Sequence, residues 1–252
     1  MLELLAAAAM TVAGCRAPDE VADQAVVIGR AVSVNQAQKD EVSTRYCEYF
    51  LPQGNGAVRV LYFDAQGKKV AEKGLRKTPE GVTESIADDP LPEVVQEDFR
   101  RGEIREVKRV KDGWTFRYRK NRESRWQETT VGAPGLDVID AGFDPFVREH
   151  WPALSSGQEI DFGFASPVHQ RVIQLRARSV DCRSGIHSPS HLCVEVDLAQ
   201  PWLRWLAGDI YLVYSSADRR LRYFDGVVNL PDADGSAQSL QIKYFYPSEL
   251  SR

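Results

Sequence analysis

The sequence predicts a mainly β protein: a curved antiparallel meander sheet, half-barrel or open barrel, interrupted by two short helices. Three observations lead there. Apolar residues recur every second position through most of the chain, as half-buried strands require. Turn-forming clusters separate successive alternating runs by only a few residues, which joins sequence neighbours into hairpins and leaves no room for parallel crossovers. No helical periodicity is sustained long enough to organise a bundle. At 252 residues, with 43 % hydrophobic and 27 % charged residues, the chain has the composition of a globular protein and not of a disordered one.

The elements follow in order. In 114–120, Trp114, Phe116 and Tyr118 share one face, and Thr115, Arg117 and Arg119 the other. Ile160, Phe162 and Phe164 alternate with Glu159, Asp161 and Gly163; Val194, Val196 and Leu198 alternate with Glu195 and Asp197; Ile242, Tyr244 and Tyr246 share a face. One wet face per strand is the antiparallel pattern. Hairpin turns are expected at 64–67, 111–113, 216–218 and 231–235, each rich in Asp, Gly or Ser. Asp144-Pro145 predicts a helix start with Asp144 as its cap, and Pro152 and Gly157 keep that helix short. Pro201 to Leu206, closed by Gly208, predicts the second. The Gly132-Ala133-Pro134-Gly135 stretch reads as a long loop inside a single domain spanning 25–252. The run 210–214 is apolar on both faces, so its second face needs a cover: a helix, a curled neighbour or a ligand. Trp202 and Trp205, just before it, are candidates for that cover.

The N-terminus is read as an export signal. Residues 4–14 form a short apolar stretch ending in small residues, too short to span a bilayer. Val12-Ala13-Gly14-Cys15 resembles the lipobox of bacterial lipoproteins. That resemblance implies removal of 1–14, a diacylglycerol thioether on Cys15 and a polar lipidated tether over 15–24. Arg16, where retained lipoproteins often carry Asp, favours the outer membrane. Met1-Leu2-Glu3 lacks the positive charge with which such signals open, so the true start is expected either upstream of this Met or at a weak signal. After residue 15 no apolar run approaches the ~20 residues of a spanning helix.

Two segments, Val138 through Trp151 and the hairpin from Leu221-Arg222-Tyr223-Phe224-Asp225-Gly226 through Ile242-Lys243-Tyr244, resemble a family of predicted bacterial periplasmic proteins with no assigned function. The strand–helix–strand layout is also similar to the lipoprotein-carrier half-barrel, in which a curved sheet shelters acyl chains. Neither resemblance implies a role for any particular residue, and likeness of layout does not establish activity.

Cys182 and Cys193 bracket a Ser/Pro/Gly-rich excursion, and in an exported protein a disulfide is the first reading. Two alternatives stay open: a zinc held with His187 and His191, and free thiols. Cys47 is then left over and reads as a small buried residue. Asp140, Asp144, His150 and His169 are the remaining acid–base candidates, but no catalytic motif accompanies them. Residues 100–125 hold eleven Lys/Arg against four acids, a charge of +7 in a chain whose total is −4. Arg105, Arg109, Arg117 and Arg119 are the candidates for contact with an anionic surface; the plain alternative is a solvated sheet face.

The sequence assigns no catalytic residue, cofactor or metal. Its first functional reading is a non-catalytic, lipid-anchored periplasmic protein sheltering an apolar or acyl ligand, with Trp202, Trp205, Ile210, Leu212 and Tyr214 against it. The second is an envelope scaffold with a solid core that binds a protein partner through a sheet edge or the basic face. The third, least supported, is an enzyme of unrecognised type. Nucleic acid is not expected as a partner for an exported chain.

Overall fold

The computed structural model describes residues 12–34, 42–77, 88–186, 188–199 and 209–247. Their fourteen strands are β1 (Val27–Val34), β2 (Val42–Pro52), β3 (Val58–Asp64), β4 (Lys69–Arg76), β5 (Glu93–Asp98), β6 (Glu103–Val110), β7 (Gly113–Arg119), β8 (Gln127–Gly132), β9 (Ile160–Ser166), β10 (Arg171–Val180), β11 (His191–Leu198), β12 (Ile210–Ser215), β13 (Leu221–Val227) and β14 (Ser239–Phe245). All lie in one antiparallel sheet, curved but not closed, in the order β8-β7-β6-β5-β4-β3-β2-β1-β14-β13-β12-β11-β10-β9. Every neighbouring pair is consecutive in sequence except β1–β14, which meet at the centre with Gly29 opposite Tyr244. The chain thus meanders outward to β8, crosses to the far edge, and meanders back inward. The four expected turns join β3–β4, β6–β7, β12–β13 and β13–β14.

The crossing runs through residues 133–159. Its first part seals the edge of β9: the Val138 N–H donates to the Gly163 carbonyl, and the Ala165 N–H donates to that of Val138. Gly163 permits this, because a Cβ there would overlap the Gly135 carbonyl. A 3-10 turn (Asp140–Gly142) then leads into α2 (Phe143–Glu149) and α3 (Trp151–Ser155). The expected first helix is therefore two short ones, and Asp144 is not its cap. Gly142 holds the cap position, and Asp144 pairs with Arg148 one turn on. The second expected helix, with Trp202 and Trp205, lies outside the described residues.

Both faces of the sheet are covered by the chain itself. On the concave face one apolar cluster joins Val60, Val107, Trp114 and Phe116 to Leu136, Ile139 and Leu230. A second packs Phe146, Val147 and Leu154 of the helices on Phe162, Val194 and Leu212. On the convex face, Cys47, Tyr49, Leu61 and Phe63 lie beneath residues 12–25, where Cys15, Ala17, Val21 and Ala22 pack on them. The stretch expected to be a solvated tether instead packs on the sheet, part of it as α1 (Asp19–Gln24).

Two disulfides pin the convex coverings. Cys182–Cys193 forms as expected, so neither sulfur is a thiolate for zinc. Cys15 is joined to Cys47, which corrects the reading of Cys47 as an unpaired cysteine. A sulfur in a disulfide has no valence left for a thioether, so this bond and a lipid on Cys15 are mutually exclusive. The two bonds mark an oxidising, extracytoplasmic setting. Among the described residues no helix is long and apolar enough to cross a membrane.

Candidate functional site

Strand parity places polar residues on the concave face, where apolar ones are the rule. On β2, Tyr46, Glu48 and Phe50 share the inward parity; on β3, Val60 and Tyr62; on β4, Ala71, Lys73 and Leu75. Cross-strand register aligns Glu48 with Tyr62 on one side and with Gly29 on the other, and Gly29 with Tyr244. Gly29 is a gap in this row. A Cβ there would lie 2.7 Å from the Glu48 Oε1 and 3.0 Å from the Tyr244 ring, so glycine lets these two side chains meet above β1. The Tyr244 phenol thereby faces the Glu48 carboxyl and favours its charged form.

Lys73 is the hub. Its ammonium, with only 6 % of the side chain exposed, lies 2.5 Å from the Asp140 Oδ1. It also stands 6.0 Å from the Tyr62 ring centroid, a cation–π distance. Asp140 sits in left-handed backbone (φ 47°) at the turn before α2. Its Oδ1 also accepts the Ala141 N–H at 2.7 Å, and its Oδ2 accepts the Asn229 side-chain amide at 2.9 Å. Gln96, opposite Lys73 on β5, donates to the Asn229 carbonyl at 3.2 Å. Arg100, paired with buried Asp98, donates to the Pro231 carbonyl at 2.7 Å. These polar groups fasten two connections, 136–142 and 228–231, onto the concave face.

The electrostatics follow from burial. Burial pushes the Glu48 carboxyl up to about 7, against the pull of the Lys73 cation and the Tyr244 hydrogen bond. Burial also acts to raise Asp140, but the Lys73 charge and the hydrogen bonds from Lys73, Asn229 and Ala141 outweigh it and hold that carboxyl below the ordinary range. The Tyr46, Tyr62 and Tyr244 phenols are pushed well above their usual value, first by burial and then by the neighbouring Glu48 charge. The cluster thus sets one lysine against one carboxyl held low and one carboxyl that burial raises.

The sequence-derived candidates are dispersed. Asp140 belongs to the cluster. Asp144 pairs with Arg148 beside Tyr214, and burial raises its carboxyl. His150 stacks on Phe146 (centroids 4.3 Å apart), and His169 meets the Ser166 hydroxyl at 2.8 Å. His187 lies outside the described residues. On β12, Leu212 and Tyr214 fill the helix-covered cluster, while Ile210 is half-buried against it. The other face of β12 (Tyr211, Val213) is covered by Val180 at the end of β10 and by Cys182 and Ile186 of the disulfide loop. The doubly apolar strand therefore has cover from the chain itself on both faces.

The four arginines divide by parity. Arg105 shares the inward parity with Glu103 and Val107, is half-buried, and pairs with buried Glu103 at 2.5 Å. Arg109 lies over the Trp114 ring at 5.3 Å. Arg117 and Arg119 point outward and hold Trp126 between them, at 4.4 and 5.2 Å, and Arg117 also pairs with Glu106 and Glu128.

Glu48 and Lys73 are the site residues missed in the sequence. The available signal was a charge at inward parity: Glu48 between Tyr46 and Phe50, and Lys73 between Ala71 and Leu75. Comparison of the chain with protein-family profiles, with curated proteins and with solved structures returned no match. No residue role is therefore carried over from another protein. Fold and site together define a disulfide-strapped extracytoplasmic β protein with a buried charged cluster at its centre.

Proposed function

We propose that this chain is a non-catalytic interaction protein of the bacterial envelope that meets an acidic protein partner through the outer surface around β7 and β8. The observation that carries this reading is the contrast between a filled interior and a basic exterior. The concave face is packed by the chain's own side chains in both halves of the sheet, which favours the solid-core reading over the acyl-sheltering one. Two depressions among the described residues are open and partly polar. One is lined by residues including Ser190, His191, Ser216 and Arg222, the other by residues including Glu106, Lys108, Thr115 and Arg117.

Outside, Lys111, Lys120 and Arg125 are exposed, and Trp126 keeps 38 % of its surface accessible between two guanidinium groups. Exposed Trp and Arg with surrounding positive charge match the residue types that dominate protein interfaces and attract acidic partners. A photo-crosslinking amino acid at position 126, introduced in the envelope of the native host, tests the reading. A discrete protein adduct that vanishes with Lys120→Glu/Arg125→Glu supports it. An adduct indifferent to charge reversal, no adduct, or salt-sensitive binding of the purified protein to phosphatidylglycerol vesicles would overturn it.

A further inference from the structure

We propose that the Glu48–Lys73–Asp140 cluster is a proton-controlled latch, which holds the 136–142 and 228–231 connections on the concave face while Glu48 is neutral and loosens them when Glu48 ionises. The geometry supplies the mechanism. Lys73 is the ammonium of this cluster: it pairs with Asp140 at 2.5 Å, and its charge also acts on the Glu48 carboxyl, which has the same inward parity two strands away. With Glu48 protonated, Lys73 and Asp140 balance one another. Asp140 then anchors both connections, through its own turn and through Asn229. With Glu48 ionised, the same buried volume holds two negative charges against one ammonium, and Glu48 competes for the cation that Asp140 uses. An uncompensated charge in such surroundings is costly, and the cheapest relief is to open the attached loops to water.

The groups that face the latch come from every neighbouring element: Tyr46 from β2, Tyr62 from β3 and Tyr244 from β14. Arg100 and Arg105 act at longer range on Tyr46 and Tyr62. The phenols stay neutral through the physiological range, so they line the latch without adding charge. His150 and His169 have their partners elsewhere, which leaves Glu48 as the latch group that changes charge near neutrality. This inference does not depend on the partner reading above.

Hydrogen–deuterium exchange on the full chain, corrected for intrinsic rates, tests it between pH 5.5 and 8.5. Protection of peptides covering 136–142 and 228–231 is expected to fall about tenfold across neutrality, while the region of the Cys182–Cys193 loop stays constant. Glu48→Gln is expected to keep the low-pH protection throughout. Constant wild-type protection, or an unchanged slope in Glu48→Gln, would overturn the latch. Should that variant not fold, carboxyl-carbon NMR of the wild type decides: the Glu48 resonance and the Asn229 side-chain amide must titrate with one midpoint, and separate midpoints contradict the proposal.

Discussion

Glu48 is an acid buried at a position where its strand parity calls for an apolar side chain, and the cost has a definite sign. Its folded value of about 7 lies above the ordinary 4.5, so the native state binds the proton more tightly than the unfolded chain. The resulting stabilisation is complete below the ordinary value and is lost as pH rises through 7. Glu48→Gln should therefore be more stable than wild type at pH 8, by on the order of 2–3 kcal/mol, and nearly equal to it at pH 4.5. Chemical denaturation at the two pH values measures this. Asp140 has the opposite sign: its lowered value contributes stability that is present above the ordinary range and lost as pH falls through its folded value. Lys73→Met leaves Asp140 without its cation and should cost about 3 kcal/mol, part of which Lys73→Met/Asp140→Asn should recover. Both residues were hidden in the sequence because alternation was read from the apolar positions alone. Cys47 was hidden for another reason, since its partner lies 32 residues away in a segment read as a tether.

The strands and hairpin turns were legible because each depends on residues a few positions apart. The alternation of Trp114, Phe116 and Tyr118 became the buried face of β7, and that of Val194 and Val196 the buried face of β11. The coverings were less legible. The need for a second cover on β12 was clear, but its identity was not, because contact between Tyr211 and the 182–186 stretch is a tertiary fact. The double burial of β2 and β3 escaped notice, since α1 is only six residues long and carries no side-chain cap. Its attachment rests on packing and on Cys15–Cys47. The loop-entropy relation gives about 3–4 kcal/mol for that 32-residue closure and about 2–3 kcal/mol for the 11-residue one. Cys15→Ala should thus destabilise more than Cys182→Ala/Cys193→Ala, and should render residues 12–25 sensitive to limited proteolysis. Equal melting temperatures for the two variants, with an intact N-terminal segment, would contradict this account of the strap.

At the scale of the molecule, the architecture turns on one pairing that no local pattern announces. β1 and β14 join near the ends of the described chain, with Ile28 opposite Phe245 and Ala31 opposite Ile242, and so unite two meanders into one sheet. The sequence carried the meanders but not their union, because alternation states which face is wet and not which distant strand lies alongside. The same pairing brings Tyr244 over Gly29 to Glu48 and so completes the latch. The union also curls the sheet around its own connections, with Leu136, Ile139 and Leu230 packed into the buried cluster beneath them. That packed interior is most directly tested by native mass spectrometry of the protein purified from its native host under conditions that preserve bound lipid. The polypeptide mass, lowered by two hydrogens for each of the two disulfides and with no companion, is the predicted result. A stoichiometric acyl species that leaves only on collisional activation would contradict it.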